Sequence, residues 1–141
     1  MNLLPGLAST SSALQAERVR LEVISQNIAN ANTTRTPEGG PYQRQVVKFE
    51  TLLVDKIASG SDSAIQQVKA ALIDKDTRPP RMVHQPGHPD ADVNGMVAYP
   101  NVNIHEEMAD MIAASRAFEA NLAVIRNART MTLQSLSIGK R

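Results

Sequence analysis

Residues 7–28 read LASTSSALQAERVRLEVISQNI, and in them Leu7, Leu14, Leu21 and Ile28 recur every seven residues. That spacing is the signature of one helical edge, with Leu3, Ile24 and Ala31 supporting the neighbouring position. The apolar stripe is narrow, because Thr10, Glu17 and Arg18 interrupt its flanks. A helix so patterned buries one edge against a partner helix and sits poorly inside a broad core.

The last third of the chain supplies such a partner. Asn103 is suited to cap a helix, Glu106 stands three residues on as in a capping box, and Glu107 adds negative charge to the first turn. Gly139, Lys140 and Arg141 suit the other end. Met111, Phe118 and Ile125 form one seven-residue series, with Met108 and Leu122 beside it, while Ala117, Val124, Met131 and Ile138 form a second. Two series predict more than one neighbour for this helix.

Between these ends the texture changes. Pro37, Gly39, Gly40, Pro41, Pro79, Pro80, Pro86, Gly87, Pro89, Gly95 and Pro100 exclude long helices. Residues 43–49 and 96–99 read as short strands from their Val and aromatic content. Residues 63–74 fit either element: Ile65, Val68 and Leu72 share a helical face, whereas Val68, Ala70 and Leu72 alternate as in a strand. The expected fold is α+β and mainly α. Long terminal helices (residues 1–32 and 103–141) pair as a coiled coil around a small β-rich insert (residues 33–102).

Composition narrows the function classes. Only Tyr42, Phe49, Tyr99 and Phe118 are aromatic among 141 residues, so the core is built from aliphatic side chains and is small. A net charge of +1 from interspersed residues gives no field to steer the chain onto nucleic acid or anionic lipid. With no cysteine, disulfides, thiolate metal sites and cysteine nucleophiles are excluded. The sequence shows neither a conventional secretory signal nor a run of about 18 apolar residues, so direct membrane insertion is not expected.

His84, His88, Asp90, Asp92 and His105 are the one cluster that could hold a divalent cation in a small metal-dependent hydrolase. Pro86, Gly87 and Pro89 break the regular helix that would align them, and no H-E-x-x-H pattern accompanies them. The alternative reading is a rigid turn in which Asp90 and Asp92 accept backbone N–H groups and His88 packs on Tyr99 or a proline ring. No phosphate loop or G-x-S-x-G elbow is present. Neither an enzyme nor a cofactor is expected.

Asn27-Ile28-Ala29-Asn30-Ala31-Asn32-Thr33-Thr34-Arg35-Thr36 resembles the asparagine-rich signature of the flagellar axial proteins, shared in varied form by rod, hook and junction components. Gly40-Pro41-Tyr42 follows it as in the proximal rod members. The run Pro86, Gly87, His88, Pro89, Asp90, Ala91, Asp92 through Asn94, Gly95, Tyr99, Pro100 and Asn101 is similar to their most distinctive region. The likeness continues through Glu106-Glu107-Met108 to Glu119-Ala120-Asn121, and is poor over about residues 51–67. Another rod or hook-junction component would lack the 86–103 run. The start, Met1 to Leu7, departs from the Phe-containing start of relatives, so the extreme N-terminal contact is expected to differ.

The resemblance implies a structural subunit of the proximal rod, a strand at residues 68–74, and an assembly interface formed by Leu7, Leu14, Leu21, Ile24, Ile28, Met111, Phe118, Leu122, Ile125 and Met131. It implies a tubular shaft around the export channel, transmitting torque across the periplasm, with export through the flagellar type III apparatus and no cleaved signal. The implied partners are copies of the chain, other rod subunits, the rod-to-membrane-ring adaptor and the export apparatus. For the asparagines, weak helix formers at positions 27, 30 and 32, two roles are open: local capping at a turn, or amide contacts to neighbouring subunits.

Overall fold

The computed structural model describes residues 4–54 and 65–139. Helix α1 spans Leu4–Ala29, strands β1 and β2 span Gln45–Val54 and Ile65–Lys75, β3 and β4 span Arg81–His84 and Met96–Tyr99, and helix α2 spans Ile104–Ile138. The expected order of helix, β-containing insert and helix is therefore present.

Pro5 lies in the first turn of α1, where its missing N–H leaves no helical bond unmade. The helix closes in turns: Asn30 N donates to Gln26 O, Ala31 N to Ile28 O and Thr33 N to Asn30 O. It ends at Ala29, a little before the expected boundary at residue 32. At the far end Asn103 caps α2, its side chain accepting from His105 N. The expected capping box takes another form, since Glu106 Oε1 receives the Asn103 side-chain amide at 3.0 Å rather than the backbone N–H.

The two helices run antiparallel and in contact, with Asn27 meeting Glu107 and Arg20 meeting Asp110. At 1.5 Å per residue, the 26 residues of α1 span about 39 Å and the 35 of α2 about 52 Å, so α2 is the longer by about 13 Å.

The chain leaves α1 through a loop in which Thr36 N donates to Gly40 O and Gly39 N to Thr36 O. Gly39 and Gly40 sit at φ +89° and +78°, a left-handed pair that reverses the chain into β1. Strands β1 and β2 form an antiparallel hairpin from Gln45↔Lys75 to Val54↔Ile65, with a register irregularity between Lys48 and Phe49. The strand expected at residues 68–74 is present and longer, and that expected at 43–49 begins at Gln45 and runs on to Val54. Strand β4 matches its expected limits, and its antiparallel partner β3 is additional. The hairpin lies along α1, and among the described residues α2 packs on α1 and on neither sheet.

The core is small: Ala16, Val23, Ile24 and Ala31 of α1 and its closing turn, Ala114 of α2 and Val97 of β4. Buried beside them are two polar side chains, Asn27 and Glu107. The accessible surface of 10299 Å² exceeds the roughly 7,100 Å² of a compact monomer of this mass.

Candidate functional site

Two features stand out: a buried polar junction where the helices join the insert, and apolar residues along α2 that the chain leaves uncovered.

Asn27, in the last turn of α1, is 1% exposed. Its Oδ1 accepts from Tyr42 OH and from Gln45 N, each at 2.9 Å. Its Nδ2 donates to Gln45 O at 2.9 Å and to Glu107 Oε2 at 3.0 Å. Asn27 thus grips the root of β1 with one amide and meets α2 with the same group. Glu107 is 0% exposed, and its other oxygen receives Arg44 Nε at 2.6 Å. Arg44 also lies 3.7 Å from Asp76 and 3.9 Å from Asp110 through its two terminal nitrogens. Arg20 on α1 lies 3.7 Å from Asp110, and Arg78 lies 2.7 Å from Asp76. The cluster balances three arginines (Arg20, Arg44, Arg78) against three carboxylates (Asp76, Glu107, Asp110).

This is the charge-paired, hydrogen-bonded form in which a carboxylate tolerates burial. Deleting one partner would leave the other uncompensated, at a cost on the order of 3–5 kcal/mol. Burial, and then the Glu107 charge, push the Tyr42 phenol above its ordinary value. Hydrogen bonds from Arg78 hold the Asp76 carboxyl below the usual carboxylate range.

The asparagine signature therefore splits by position. Asn30 acts locally, its Nδ2 on Gln26 O and its Oδ1 accepting from Thr33 OH. Asn27 is bonded within its own chain to Tyr42, Gln45 and Glu107, residues 15 to 80 positions away, rather than to its local turn. Asn32 is exposed. Glu107 and Arg44 were missed as a pair. Glu107 stands seven residues before Ala114, which is 0% exposed, but that this position faces inward is known only from the fold.

The helix faces sort as follows. Ile24 is buried, and Leu7, Leu14, Leu21 and Ile28 are half-buried. The deepest burial on α1 falls instead on Ala16, Val23, Ile24 and Asn27, a face offset from the seven-residue stripe. On α2, Met111, Phe118, Leu122 and Ile125 are half-buried, whereas Met131 is 59% exposed. The second series is open beyond Ala117, with Val124, Met131 and Ile138 all exposed, and Met108 and Ile112 are exposed on the opposite flank. Leu136 is exposed as well, near the end of the longer helix.

The 86–101 segment is a chain of turns. Asp92 Oδ1 accepts from Asn94 N at 2.8 Å and Met96 N at 2.9 Å, as the turn reading expects. Asp90 differs: it accepts from Thr34 OH at 2.8 Å and pairs with Arg35, tying the asparagine loop to this segment. Its own N–H donates to His88 Nδ1, and the His88 ring meets Tyr99 edge-on at 6.3 Å. Pro100 is buried, and Asn101 bridges Arg44 N and Arg78 O. Among the described residues no three His, Asp or Glu side chains are grouped to share a metal ion, and no helix is long and apolar enough to cross a membrane.

Comparison with known proteins bears on both features. The pattern of the family described as "Flagella basal body rod protein" matches residues 7–35, and that of "Flagellar basal body rod FlgEFG protein C-terminal" matches residues 93–138. Proteins named flagellar basal-body rod protein FlgC are similar along nearly the whole chain. That of Borreliella burgdorferi is 43% identical, covering 98% of each chain. That of Salmonella typhimurium is 36% identical over 92% of each, and that of Bacillus subtilis is 35% identical over 99% of this chain and 100% of its own. The two matched stretches include most of α1 with its asparagine loop and α2 with β4, and so hold Asn27, Glu107 and the open helix faces, while Tyr42, Arg44, Gln45, Asp76 and Arg78 of the junction lie between them.

Proposed function

This chain belongs to the FlgC family of flagellar basal-body rod proteins and is a structural subunit of that rod, assembling with other rod subunits in the flagellar basal body; from that premise we propose how its parts divide the work. The helical ends, residues 1–32 and 103–141, join the wall of a tubular proximal rod around the export channel. Residues 33–102 pack against adjacent subunits and set their lateral and axial spacing. Torque passes because each subunit is held by several neighbours in a closed helical wall.

The observation that carries this reading is the exposed second series of α2: Val124, Met131 and Ile138 are 52%, 59% and 76% exposed on a chain whose own core is small. A run of large apolar side chains left in water marks a surface that a partner covers. The half-buried residues Leu7, Leu14, Leu21, Ile28, Met111, Phe118, Leu122 and Ile125, with the buried Ile24, pack α1 on α2 in coiled-coil fashion and offer their open edges to neighbours. Met131 belongs wholly to the outward set. Delivery is through the flagellar type III apparatus as an unfolded chain, and the rod-to-membrane-ring adaptor meets the finished rod.

The test separates outward from inward residues. Val124→Asp should leave the helix content of the purified subunit unchanged and abolish rods and swimming, because its side chain has little to lose within the chain. Leu122→Asp should damage both. Swimming cells with intact rods carrying Val124→Asp would overturn the assignment of this face.

A further inference from the structure

Asn27 and Glu107 are the two buried polar side chains named in the core, and each finds its partners outside its own helix. We propose that Arg44, Asn27 and Glu107 form a conformational latch, which makes the orientation of the β1–β2 hairpin conditional on the pairing of α1 with α2. The inference rests on the reading of the insert as the spacer between subunits and names what controls it.

Both roots of the hairpin converge on the latch. Gln45, the first residue of β1, gives its N–H to Asn27 Oδ1 and its carbonyl to Asn27 Nδ2. Asp76, directly after β2, gives its N–H to Arg44 O at 2.8 Å and lies with its carboxylate 3.7 Å from the Arg44 guanidinium. Among the described residues α2 packs on neither strand, so the hairpin root is joined to it by Arg44, through Glu107 and Asp110, and by the Asn27 amide that bonds both Gln45 and Glu107.

When the helices are apart, water replaces the bonds to Glu107 and Asp110, while Asn27 keeps its hold on Gln45 and the hairpin its place along α1. Asn27 and Glu107 then belong to separate segments, and the hairpin root is free of α2. Once α1 and α2 close, water leaves Glu107, and the arrangement that satisfies both its oxygens is the one with Arg44 and Asn27 in place. Hydrogen bonds of this kind are directional, so closure fixes an angle as well as a contact. A subunit with unpaired helices therefore has a hairpin not yet aimed relative to α2 and offers neighbours no completed lateral surface before it docks.

The chain has no cysteine, so pairs of engineered cysteines on the full-length protein can carry spin labels at chosen exposed sites. Ser25→Cys with Arg116→Cys reports helix pairing, and Glu50→Cys with Arg116→Cys reports hairpin orientation; all three positions are exposed. Distance distributions would be recorded on the purified subunit and in isolated basal bodies. In the parent protein both distributions should narrow together. In Arg44→Met and Glu107→Gln the helix distribution should still narrow in basal bodies, while the hairpin distribution stays at least about twofold broader.

Arg44→Lys, which keeps the charge but loses the planar fork, should give an intermediate width and guards against a variant that fails to fold. A hairpin distribution as narrow in these variants as in the parent, or narrow while the helices are unpaired, overturns the latch. Normal rods from a variant with a broadened hairpin distribution would leave the latch standing and remove the reading of the insert as spacer.

Discussion

At Gly95 the backbone lies at φ +71°, and an added Cβ would stand 3.0 Å from Pro86 Cβ and 3.1 Å from His84 Cε1. The residue closes the turn with its N–H on Asp92 O, and its carbonyl receives Gln85 N at 2.7 Å. Gly95→Ala is expected to cost about 1–3 kcal/mol through the left-handed strain and the tight contact, read as a lower urea midpoint and faster amide exchange in β3 and β4. Tyr42 gives a second test at this scale. Burial first, and Glu107 second, raise its pKa above the ordinary tyrosine value. A phenol with a raised native pKa contributes stability that is full below the unfolded value of about 10 and is lost as pH rises through the native one. Ultraviolet titration of the two tyrosines should show one ionising late. Glu107→Gln should lower that late transition but leave part of the shift, since burial remains.

Helix α2 begins where its sequence says it begins, because the signal is local: the Asn103 side chain accepts from an N–H two residues away. Asn103→Ala should destabilise the protein by about 1 kcal/mol and speed exchange at the first-turn amides, with His105 most affected. Elements that depend on a distant partner were harder to read. Strand β3, Arg81–His84, follows Pro79 and Pro80 and alternates too briefly to announce itself; it exists because β4 supplies its hydrogen-bonding edge. Residues 65–75 carry a helical apolar spacing and are nevertheless a strand, since pairing with β1 overrides propensity. In α1 the seven-residue Leu stripe was legible, while the face buried most deeply contains Ala16 and Asn27, whose size and polarity hide it from a search for large apolar residues.

For the whole molecule, the exposed apolar residues along α2 lead to the expectation that assembly adds to the order of the helices. Amide exchange along α1 and α2 should be fast in the purified subunit and slow by at least about tenfold in isolated basal bodies, whereas β3 and β4 should change less. Helices already fully protected in the free subunit would show that the chain satisfies its own faces, and would count against folding coupled to assembly.

The sequence by itself determined the two terminal helices, the cap at Asn103, the turn-rich insert and the kinship with axial rod proteins, because each rests on neighbours along the chain or on a long quoted motif. Only the tertiary structure decided which helix face turns inward and that Asn27, Arg44 and Glu107 share one junction. Glu107 meets Arg44 across 63 positions and Asn27 across 80. A charge in a first helical turn reads locally as a complement to the helix dipole. That this charge is buried and paired follows from where the fold carries it, which no periodicity within α2 expresses.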